Sequence, residues 1–280
     1  MTTQIPRFMT HMTQQATRGI LARILLSFCA VFMTHLSSAQ PATSVGTVAT
    51  VAAASDLKFA LEEIAVLFEK STGYKLRFIF GSSGNFYSQL LQGAPFHLFM
   101  SADEALVFKL ADAAKTLDRG KLYAYGRIGL MVPKGSAIGV DPTLSGLRQA
   151  LEKGDIRRFA IANPAHAPYG MRAKEALEYA GLWNQIEPLL VYGENVSQAA
   201  QFATSGAAQG GIIAYSLALA PQVSRLGTFA LIPDSWHHPL AQRMVLMRDA
   251  PKSAHAFYDF LSTPDAQAIM IKYGFKMPKD

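Results

Sequence analysis

The stretch Val51–Leu57 constrains the fold more than any other, because a run of small and β-branched residues ends directly on a Ser-Asp pair. Such a run is typical of a buried strand, and Ser or Asp at its end is typical of a helix N-terminus. Apolar residues then recur at helical spacing, at Leu57, Ala60, Leu61, Ile64 and Phe68. The sequence therefore predicts a buried strand followed at once by a helix that Ser55 caps.

The same order recurs at Phe78–Asn85, where Phe-Ile-Phe is followed by Gly-Ser-Ser-Gly-Asn and a short amphipathic segment. Two weaker examples are predicted at Tyr169–Gly170 and at Asn195–Val196. A helix N-terminus presents unpaired N–H groups and a partial positive charge, and Ser55 and Ser83 would add hydroxyl donors at two of these ends. Together the four helix starts predict a site for a small anion held by neutral donors.

Strands and helices alternate from Thr47 to Tyr273, which predicts parallel pairing with right-handed crossovers. At 280 residues the chain is long enough for two lobes of ordinary size. The expected fold class is α/β, with each lobe a mostly parallel sheet flanked by helices and the ligand in the cleft between the lobes. A strand is predicted over Gly126–Val132, and Ser253–Tyr273 is predicted as one long helix or a pair of helices.

Residues 1–39 have the composition of a secretory signal peptide. They contain three Arg and no Asp or Glu, with an apolar core over Ile24–Phe32 that is followed by Ser37-Ser38-Ala39. The apolar core is too short to span a bilayer comfortably, which favours cleavage after Ala39 over an uncleaved membrane anchor. Cys29, the one cysteine of the sequence, lies within this segment, so the exported chain would contain no disulfide.

Half of the net positive charge of the sequence comes from this leader. Without residues 1–39 the net charge falls from +6 to about +3. Such a small excess removes most of the argument for nucleic-acid binding. Half of all residues are apolar and 16% are charged, which argues against disorder over most of the chain.

The sequence contains no pattern typical of a catalytic site. The segment Gly-Ser-Ser-Gly lacks the Gly-x-Ser-x-Gly spacing of a hydrolase nucleophile elbow. His237 and His238 are adjacent, and adjacent residues rarely chelate one ion well, so no metal site is predicted. His166 lies near the proposed site, but a loop histidine is by default solvent-facing. The sequence therefore favours binding over catalysis.

Several motifs that occur in order between Val51 and Lys276 carry a family resemblance. Singly they are common, but jointly they are specific. They are Ala52-Ala-Ala-Ser55, Phe80-Gly-Ser-Ser-Gly84, Gly93-Ala-Pro-Phe-His-Leu-Phe-Met-Ser-Ala-Asp103, Pro164-Ala-His-Ala-Pro-Tyr-Gly170 with Ala173-Lys-Glu-Ala-Leu177, Glu194-Asn-Val196 and Lys272-Tyr-Gly-Phe275. In this combination the sequence resembles the periplasmic molybdate-binding proteins of ABC importers.

The resemblance implies a type II periplasmic-binding fold that closes around a molybdate or tungstate dianion, with no catalytic activity and no cofactor. It implies one lobe of residues 40–128 plus 232–280 and another of residues 129–231. The ligand-binding positions of the family fall on Ser55, Ser83, Tyr169 and Val196. The implied partners are the oxyanion and a membrane permease, and the implied state is a periplasmic monomer.

Four further positions have weaker support as ligand-binding residues. Asp56 stands where some members have Asn; a carboxylate would repel a dianion, so we expect its side chain to point away and cap the helix. Ser82 is a neighbouring hydroxyl. The tyrosine that some members place on a later strand aligns with Ala214, and Tyr215 lies one position late, which argues against a tyrosine hydroxyl donor there. Tyr169 is the alternative aromatic residue at the rim of the site.

Three other functions remain open from the sequence. Sulfate-, phosphate- and phosphonate-binding proteins look similar at this level, and it is the combined motifs that favour molybdate. A secreted α/β hydrolase that uses Ser83 as its nucleophile is the second alternative. An anion-sensing domain that docks to a regulator is the third.

Overall fold

The computed structural model describes residues 48–279, so the predicted signal peptide and its cleavage point after Ala39 lie outside the described residues. The strands are β1 (Ala49–Ala54), β2 (Leu76–Gly81), β3 (Leu98–Ser101), β4 (Lys121–Gly126), β5 (Ile128–Pro133), β6 (Phe159–Ala162), β7 (Leu190–Gly193), β8 (Gly211–Ala214), β9 (Gly227–Leu231) and β10 (Leu240–Leu246). The helices are α1 (Lys58–Thr72), α2 (Ser83–Leu91), α3 (Glu104–Asp112), α4 (Ser145–Glu152), α5 (Pro168–Tyr179), α6 (Trp183–Ile186), α7 (Val196–Thr204), α8 (Tyr215–Ala218), α9 (Pro221–Ser224), α10 (Lys252–Phe260) and α11 (Pro264–Lys272). Short 3-10 turns lie at Ser55–Leu57, Glu187–Leu189 and Asp234–Trp236.

Within residues 48–279 the strands form two five-stranded sheets, one in each lobe. The first lobe has the strand order β2-β1-β3-β10-β4, and the second lobe has the order β7-β6-β8-β5-β9. The chain passes from the first sheet to the second at Arg127, between β4 and β5. It returns through residues 232–239, between β9 and β10. The predicted two-lobed α/β fold is confirmed.

Each sheet is mixed rather than mostly parallel. β1 pairs in parallel with β2 and β3, and β6 pairs in parallel with β7 and β8. β10 lies antiparallel to β3 and β4, and β5 lies antiparallel to β8 and β9. The antiparallel strands β5 and β10 are the ones that begin where the chain passes between the lobes. They enter their sheets from the opposite end, because no crossover helix brings the chain back to the starting edge.

The hydrophobic pattern missed β4. A single strand was predicted over Gly126–Val132, but the chain changes lobes within that stretch, so β4 ends at Gly126 and β5 begins at Ile128. The sequence of β4, Lys-Leu-Tyr-Ala-Tyr-Gly, is only partly buried and contains no continuous apolar run. A strand of this composition gives little signal without its neighbours.

The tail forms two helices, which is one of its two predicted arrangements. Thr263 caps α11 by accepting the Ala266 N–H at 3.4 Å, and Pro264 occupies the first helical position, where its missing N–H costs little. Phe257 of α10 packs edge-on against Phe68 of α1, with ring centroids 5.1 Å apart, and both rings are fully buried. Burial of each such ring stabilises the fold by roughly 2–3 kcal/mol, which fixes α1 and α10 in the core of the first lobe.

In both lobes the parallel strands end at the cleft. β1 runs into the 3-10 turn at Ser55, and β2 runs through Ser82 into α2. β6 leads to α5, and β7 leads through Asn195 to α7. Because ligands bind beyond the carboxyl ends of such strands, these helix starts mark the place to look for a site. Among the described helices none is long and apolar enough to cross a membrane.

Candidate ligand-binding site

A cavity lies in the cleft where strands of both sheets end. Its lining residues are Ala54, Ser55, Asp56, Gly81, Ser82, Ser83 and Ala102 of the first lobe and Ala167, Pro168, Tyr169, Asn195 and Val196 of the second. The space outside atoms amounts to about 180 Å³, including the opening to solvent. No Lys, Arg or His is among these lining residues. An anion in this cavity would therefore meet neutral hydrogen-bond donors.

The first helix start is the 3-10 turn Ser55–Leu57, which continues into α1. The prediction that Ser55 caps this helix was wrong, because β1 extends to Ala54 and Ser55 is already the first residue of the turn. The Ser55 Oγ is therefore free to face the other lobe. It accepts the Ser197 N–H at 3.3 Å, and the Ser197 hydroxyl donates to the Ser55 carbonyl at 2.9 Å.

The second helix start presents two adjacent serines with different roles. Ser82 is the N-cap of α2, and its Oγ accepts the Asn85 N–H at 3.4 Å. Ser83 is the first residue of the helix, is 1% exposed, and accepts the Ala102 N–H on its Oγ at 2.9 Å. No acceptor for the Ser83 hydroxyl is present among the described residues, so this O–H is available to a ligand.

The start of α7 supplies a backbone donor. Asn195 caps this helix, because its Oδ1 accepts the N–H groups of Ser197 and Gln198 at 3.0 and 3.1 Å. Val196, the first helical residue, keeps an N–H with no partner inside the helix. Val196 lines the cavity, and because its side chain is apolar its N–H is the one hydrogen-bond donor that it can offer.

The start of α5 supplies a second backbone donor. The helix begins at Pro168, which places Tyr169 in the first turn, where N–H groups have no intrahelical partner. A Cβ atom on Gly170 would lie 2.1 Å from the Ala162 carbonyl oxygen. Glycine at this position therefore allows the helix start to approach the end of β6.

Beside the cavity, a buried hydrogen-bond network joins the two lobes through Asp56. Its Oδ2 atom accepts the Tyr169 hydroxyl at 2.8 Å and the Gln242 Nε2 at 2.6 Å. Gln242 Oε1 accepts the Tyr123 hydroxyl at 2.8 Å. Asp56 is 1% exposed, and its Oδ1 has no hydrogen-bond partner among the described residues.

Burial governs the ionisation of this network. Loss of water raises the pKa of Asp56 to about 6, although the hydrogen bonds from Gln242 and Tyr169 act in the opposite direction. Burial, together with the nearby Asp56 charge, raises the pKa of Tyr123 and of Tyr169 well above the usual tyrosine range. No Lys, Arg or His of the described chain pairs with Asp56, so a charge on this carboxyl group has no counter-ion.

Two predictions for this region were wrong. Asp56 does not cap the helix, because Tyr169 and Gln242 engage its carboxyl group in the buried network. Tyr169 is not a rim residue: it is 4% exposed and its hydroxyl is bound to Asp56, which leaves its backbone N–H for the cavity. Gln242 was missed, although its place between the buried Leu240 and Met244 on one face of β10 is a signal for a buried polar contact.

The lobes contact each other around the rim of the cavity. The Gly84 N–H donates to the His166 carbonyl oxygen at 2.9 Å, and the Ser82 Oγ lies 2.9 Å from His166 Nδ1. His166 Nε2 lies 3.7 Å from Glu194 Oε2, and Glu194 Oε1 accepts a hydrogen bond from the Asn85 side chain. A Cβ atom on Gly84 would lie 2.4 Å from the His166 oxygen. The cleft is therefore closed, and glycine is needed at this contact.

Two weaker candidates lie away from the cavity wall. Ala214 is the buried last residue of β8. The Tyr215 ring stacks on Phe229 at 5.4 Å, and the Arg127 guanidinium lies 4.6 Å from the ring centroid. Tyr215 is therefore packed at the passage between the sheets, and neither residue lines the cavity.

Two other histidines, His97 and His238, have contacts outside the cavity. His97 Nδ1 accepts the Thr50 N–H at 2.9 Å, which fixes the loop before β3 to β1. The His238 N–H donates to Glu175 at 2.8 Å at the protein surface. Within residues 48–279 there is no group of three or more side chains that could hold a metal ion.

Comparison with known proteins identifies the family. Residues 49–276 match the family model described as Bacterial extracellular solute-binding protein. The chain belongs to this family. It is 35% identical over 240 residues to the molybdate-binding protein ModA of Rhodobacter capsulatus, with 85% of this chain and 90% of the relative covered. It is 32% identical over 229 residues to the molybdate-binding protein ModA of Azotobacter vinelandii, with 80% and 88% covered.

Solved structures of solute-binding proteins have the same architecture. The periplasmic molybdate-binding protein of Azotobacter vinelandii superposes with a TM-score of 0.75 at 29% identity, over 82% of this chain and all of that chain. The sulfate-binding protein SubI from Mycobacterium tuberculosis superposes with a TM-score of 0.68 at 15% identity, over 82% and 87%, which shows the fold alone. Membership of a solute-binding family confirms the interpretation of a binding protein rather than an enzyme.

Proposed function

We propose that this chain is the solute-binding component of an ABC importer and that its solute is molybdate. The observation that carries the proposal is the convergence of four helix starts on one cavity with no cationic side chain in its wall. Molybdate is the chosen anion because relatives at 35% and 32% identity are molybdate-binding proteins. Tungstate has the same charge and tetrahedral shape, so we extend the proposal to tungstate.

The donors to the oxyanion would be two hydroxyls and a set of backbone N–H groups. Ser55 and Ser83 supply the hydroxyls, and Val196 and Tyr169 supply backbone donors at helix starts. A dianion loses strong hydration on entry, so each of these preorganised donors contributes roughly 1.5–3 kcal/mol to binding. Ser82 is assigned to the rim contact with His166 rather than to the ligand.

Ligand binding would be coupled to closure of the lobes. The Gly84–His166 bond and the Ser197–Ser55 bonds connect the two lobes directly, so they form when the cleft closes. The two passages at Arg127 and at residues 232–239 would act as the hinge between the two lobes, so that Ile128, the first residue of β5, would belong to the second lobe rather than to the end of the first. A membrane permease would recognise the closed form.

We assign the working protein to the periplasm as a monomer that lacks residues 1–39. Support comes from the basic, apolar and small-residue order of the leader. Further support comes from the similarity to a periplasmic molybdate-binding protein. N-terminal sequencing of the exported protein should give Gln40 as the first residue, and any other first residue would correct the cleavage point.

A thermal-shift series tests the choice of anion. The purified protein, freed of bound anion, is heated with equal concentrations of molybdate, tungstate, sulfate, phosphate or vanadate. A ligand at about a hundred times its Kd adds roughly 2.7 kcal/mol to the free energy of unfolding. Stabilisation by molybdate and tungstate without sulfate is the expected result, whereas stabilisation by sulfate or phosphate alone would reassign the transporter. The hydrolase alternative has no support at Ser83, since its Oγ contacts the Ala102 N–H rather than a base.

A further inference from the structure

Asp56 is an acidic residue among those that line the cavity that we assign to a dianion. If this carboxyl group were ionised, it and the dianion would both be negatively charged hydrogen-bond acceptors and would repel each other. No cation among the described residues contacts Asp56 to offset this repulsion. Its Oδ1 atom is buried and has no partner among the described residues. Buried polar atoms almost always have a hydrogen-bond partner, so we expect the partner of Asp56 Oδ1 to arrive with the ligand.

The hydrogen bonds at the other oxygen decide where a proton would sit. Oδ2 accepts two donors, the Tyr169 hydroxyl at 2.8 Å and the Gln242 Nε2 at 2.6 Å, so it has no room for a proton of its own. A proton on Oδ1 would turn the orphan acceptor into an O–H donor. An oxyanion in the cavity could accept that hydrogen bond.

We infer that the cavity binds a proton together with the oxyanion, and that Asp56 carries this proton on Oδ1 as a neutral carboxylic acid. The inference rests on the proposed function. The step is balanced by one proton from solvent, which joins the carboxylate as the dianion enters and returns to solvent when the dianion leaves. The net charge of Asp56 plus ligand is then −2 instead of −3.

Among the described residues around Asp56, no other group would replace this proton. Tyr169 of α5 and Tyr123 of β4 are the titratable groups that face it, and both stay neutral because their pKa is raised well above the usual range. Gln242 of β10 is neutral, and the Ser216 hydroxyl of α8 donates to the Asp56 backbone carbonyl at 2.8 Å. The neutral form is accessible, since burial raises the pKa of Asp56 to about 6 before any anion is present.

The sign of the pH dependence follows from linkage. A bound dianion raises the pKa of Asp56 further above its value of about 6. Below about pH 6 the carboxyl group is already protonated, and affinity changes little with pH. Above that value each binding event takes up a proton, so affinity falls by up to about tenfold per pH unit until the pKa of the complex is passed.

Isothermal titration calorimetry with molybdate tests the inference, on the full protein and on Asp56→Asn, from about pH 6 to about pH 9. Each titration is repeated in two buffers that differ in ionisation enthalpy, which reports the number of protons taken up. The Asn side chain keeps an oxygen for Tyr169 and Gln242 and presents an N–H donor that does not titrate.

On binding molybdate, we expect the wild type to take up close to one proton more than the variant. As the pH rises, the affinity of the wild type should also fall more steeply than that of the variant, by up to about tenfold more per pH unit. Equal slopes and equal proton uptake in the two proteins would overturn the inference alone. Absence of molybdate binding by both proteins at every pH would overturn the proposed function and this inference with it. Should the variant fail to fold, infrared difference spectra of the wild type decide: molybdate should produce the carbonyl band of a protonated carboxyl group, and its absence contradicts the inference.

Discussion

The two lobes contribute to the cavity in different ways. In the site as we propose it, the first lobe supplies side chains, namely the hydroxyls of Ser55 and Ser83 and the carboxyl group of Asp56. The second lobe supplies backbone N–H groups at the starts of α5 and α7, while the Tyr169 side chain is engaged with Asp56. A side-chain donor can be altered by many substitutions, but a backbone donor is removed only by proline. The first lobe therefore carries the chemistry that sequence variation can tune, and the second lobe supplies a fixed geometry.

Val196→Pro is the strongest test of the backbone N–H donors that we propose for the second lobe. Proline is well tolerated at the first position of a helix, and Asn195 before it is already extended, so the fold should survive. Loss of the N–H should weaken molybdate binding by about 2–3 kcal/mol, or roughly 30- to 150-fold in Kd. Val196→Ala is the matched control and should bind almost as the wild type does. If calorimetry gives both variants the same affinity, the backbone donor has no role.

The Asp56 carboxyl group should affect the free energy of unfolding as well as ligand binding. Its pKa in the folded protein is about 6, above the ordinary aspartate value, so its stabilising contribution is complete below about pH 4 and is lost as pH rises through 6. Without ligand, the free energy of unfolding of wild type relative to Asp56→Asn should fall by about 2–3 kcal/mol between about pH 4 and pH 7.5. Urea unfolding at several pH values measures it, and a constant difference would show that Asp56 is not desolvated.

Ser83→Ala tests the side-chain half of the comparison. The substitution removes a hydroxyl donor and leaves the buried Ala102 N–H without its acceptor. We expect a loss of about 2 kcal/mol in molybdate binding, or roughly 30-fold in Kd. Ser88→Ala on the exposed face of the same helix is the control and should bind normally. Equal affinities for the two variants would remove Ser83 from the site.

A substitution at the rim of the cavity should have the smallest effect on binding, because a main-chain hydrogen bond also holds the lobes together at His166. His166→Ala removes the contacts to Ser82 and Glu194 but keeps the carbonyl that accepts the Gly84 N–H. We expect ligand to dissociate about fivefold faster, a change of about 1 kcal/mol, in stopped-flow measurements. His255→Ala, exposed on α10, is the control. A much larger effect would mean that the second lobe depends on this side chain after all.

The helix starts could be predicted from the sequence because capping and hydrophobic period are local signals. Ser83, Val196 and the turn at Ser55 follow from residues within one turn of each other. The role of Asp56 could not be predicted, because its partners Tyr169 and Gln242 lie 113 and 186 residues further along the chain. β4 was missed for a similar reason, since its buried Tyr123 and partly buried Tyr125 are explained by pairing with β10 near the other end of the chain.

The absence of Lys, Arg and His from the described wall of the cavity has a consequence for the medium in which the protein works. Attraction between separated charges weakens as salt is added, because mobile ions screen it within about 10 Å at 0.1 M. Hydrogen bonds from fixed N–H and O–H groups inside a closed cleft are screened far less. A carrier built in this way would hold its oxyanion about equally well in dilute and in saline surroundings, which suits a compartment whose ionic strength follows the outside world.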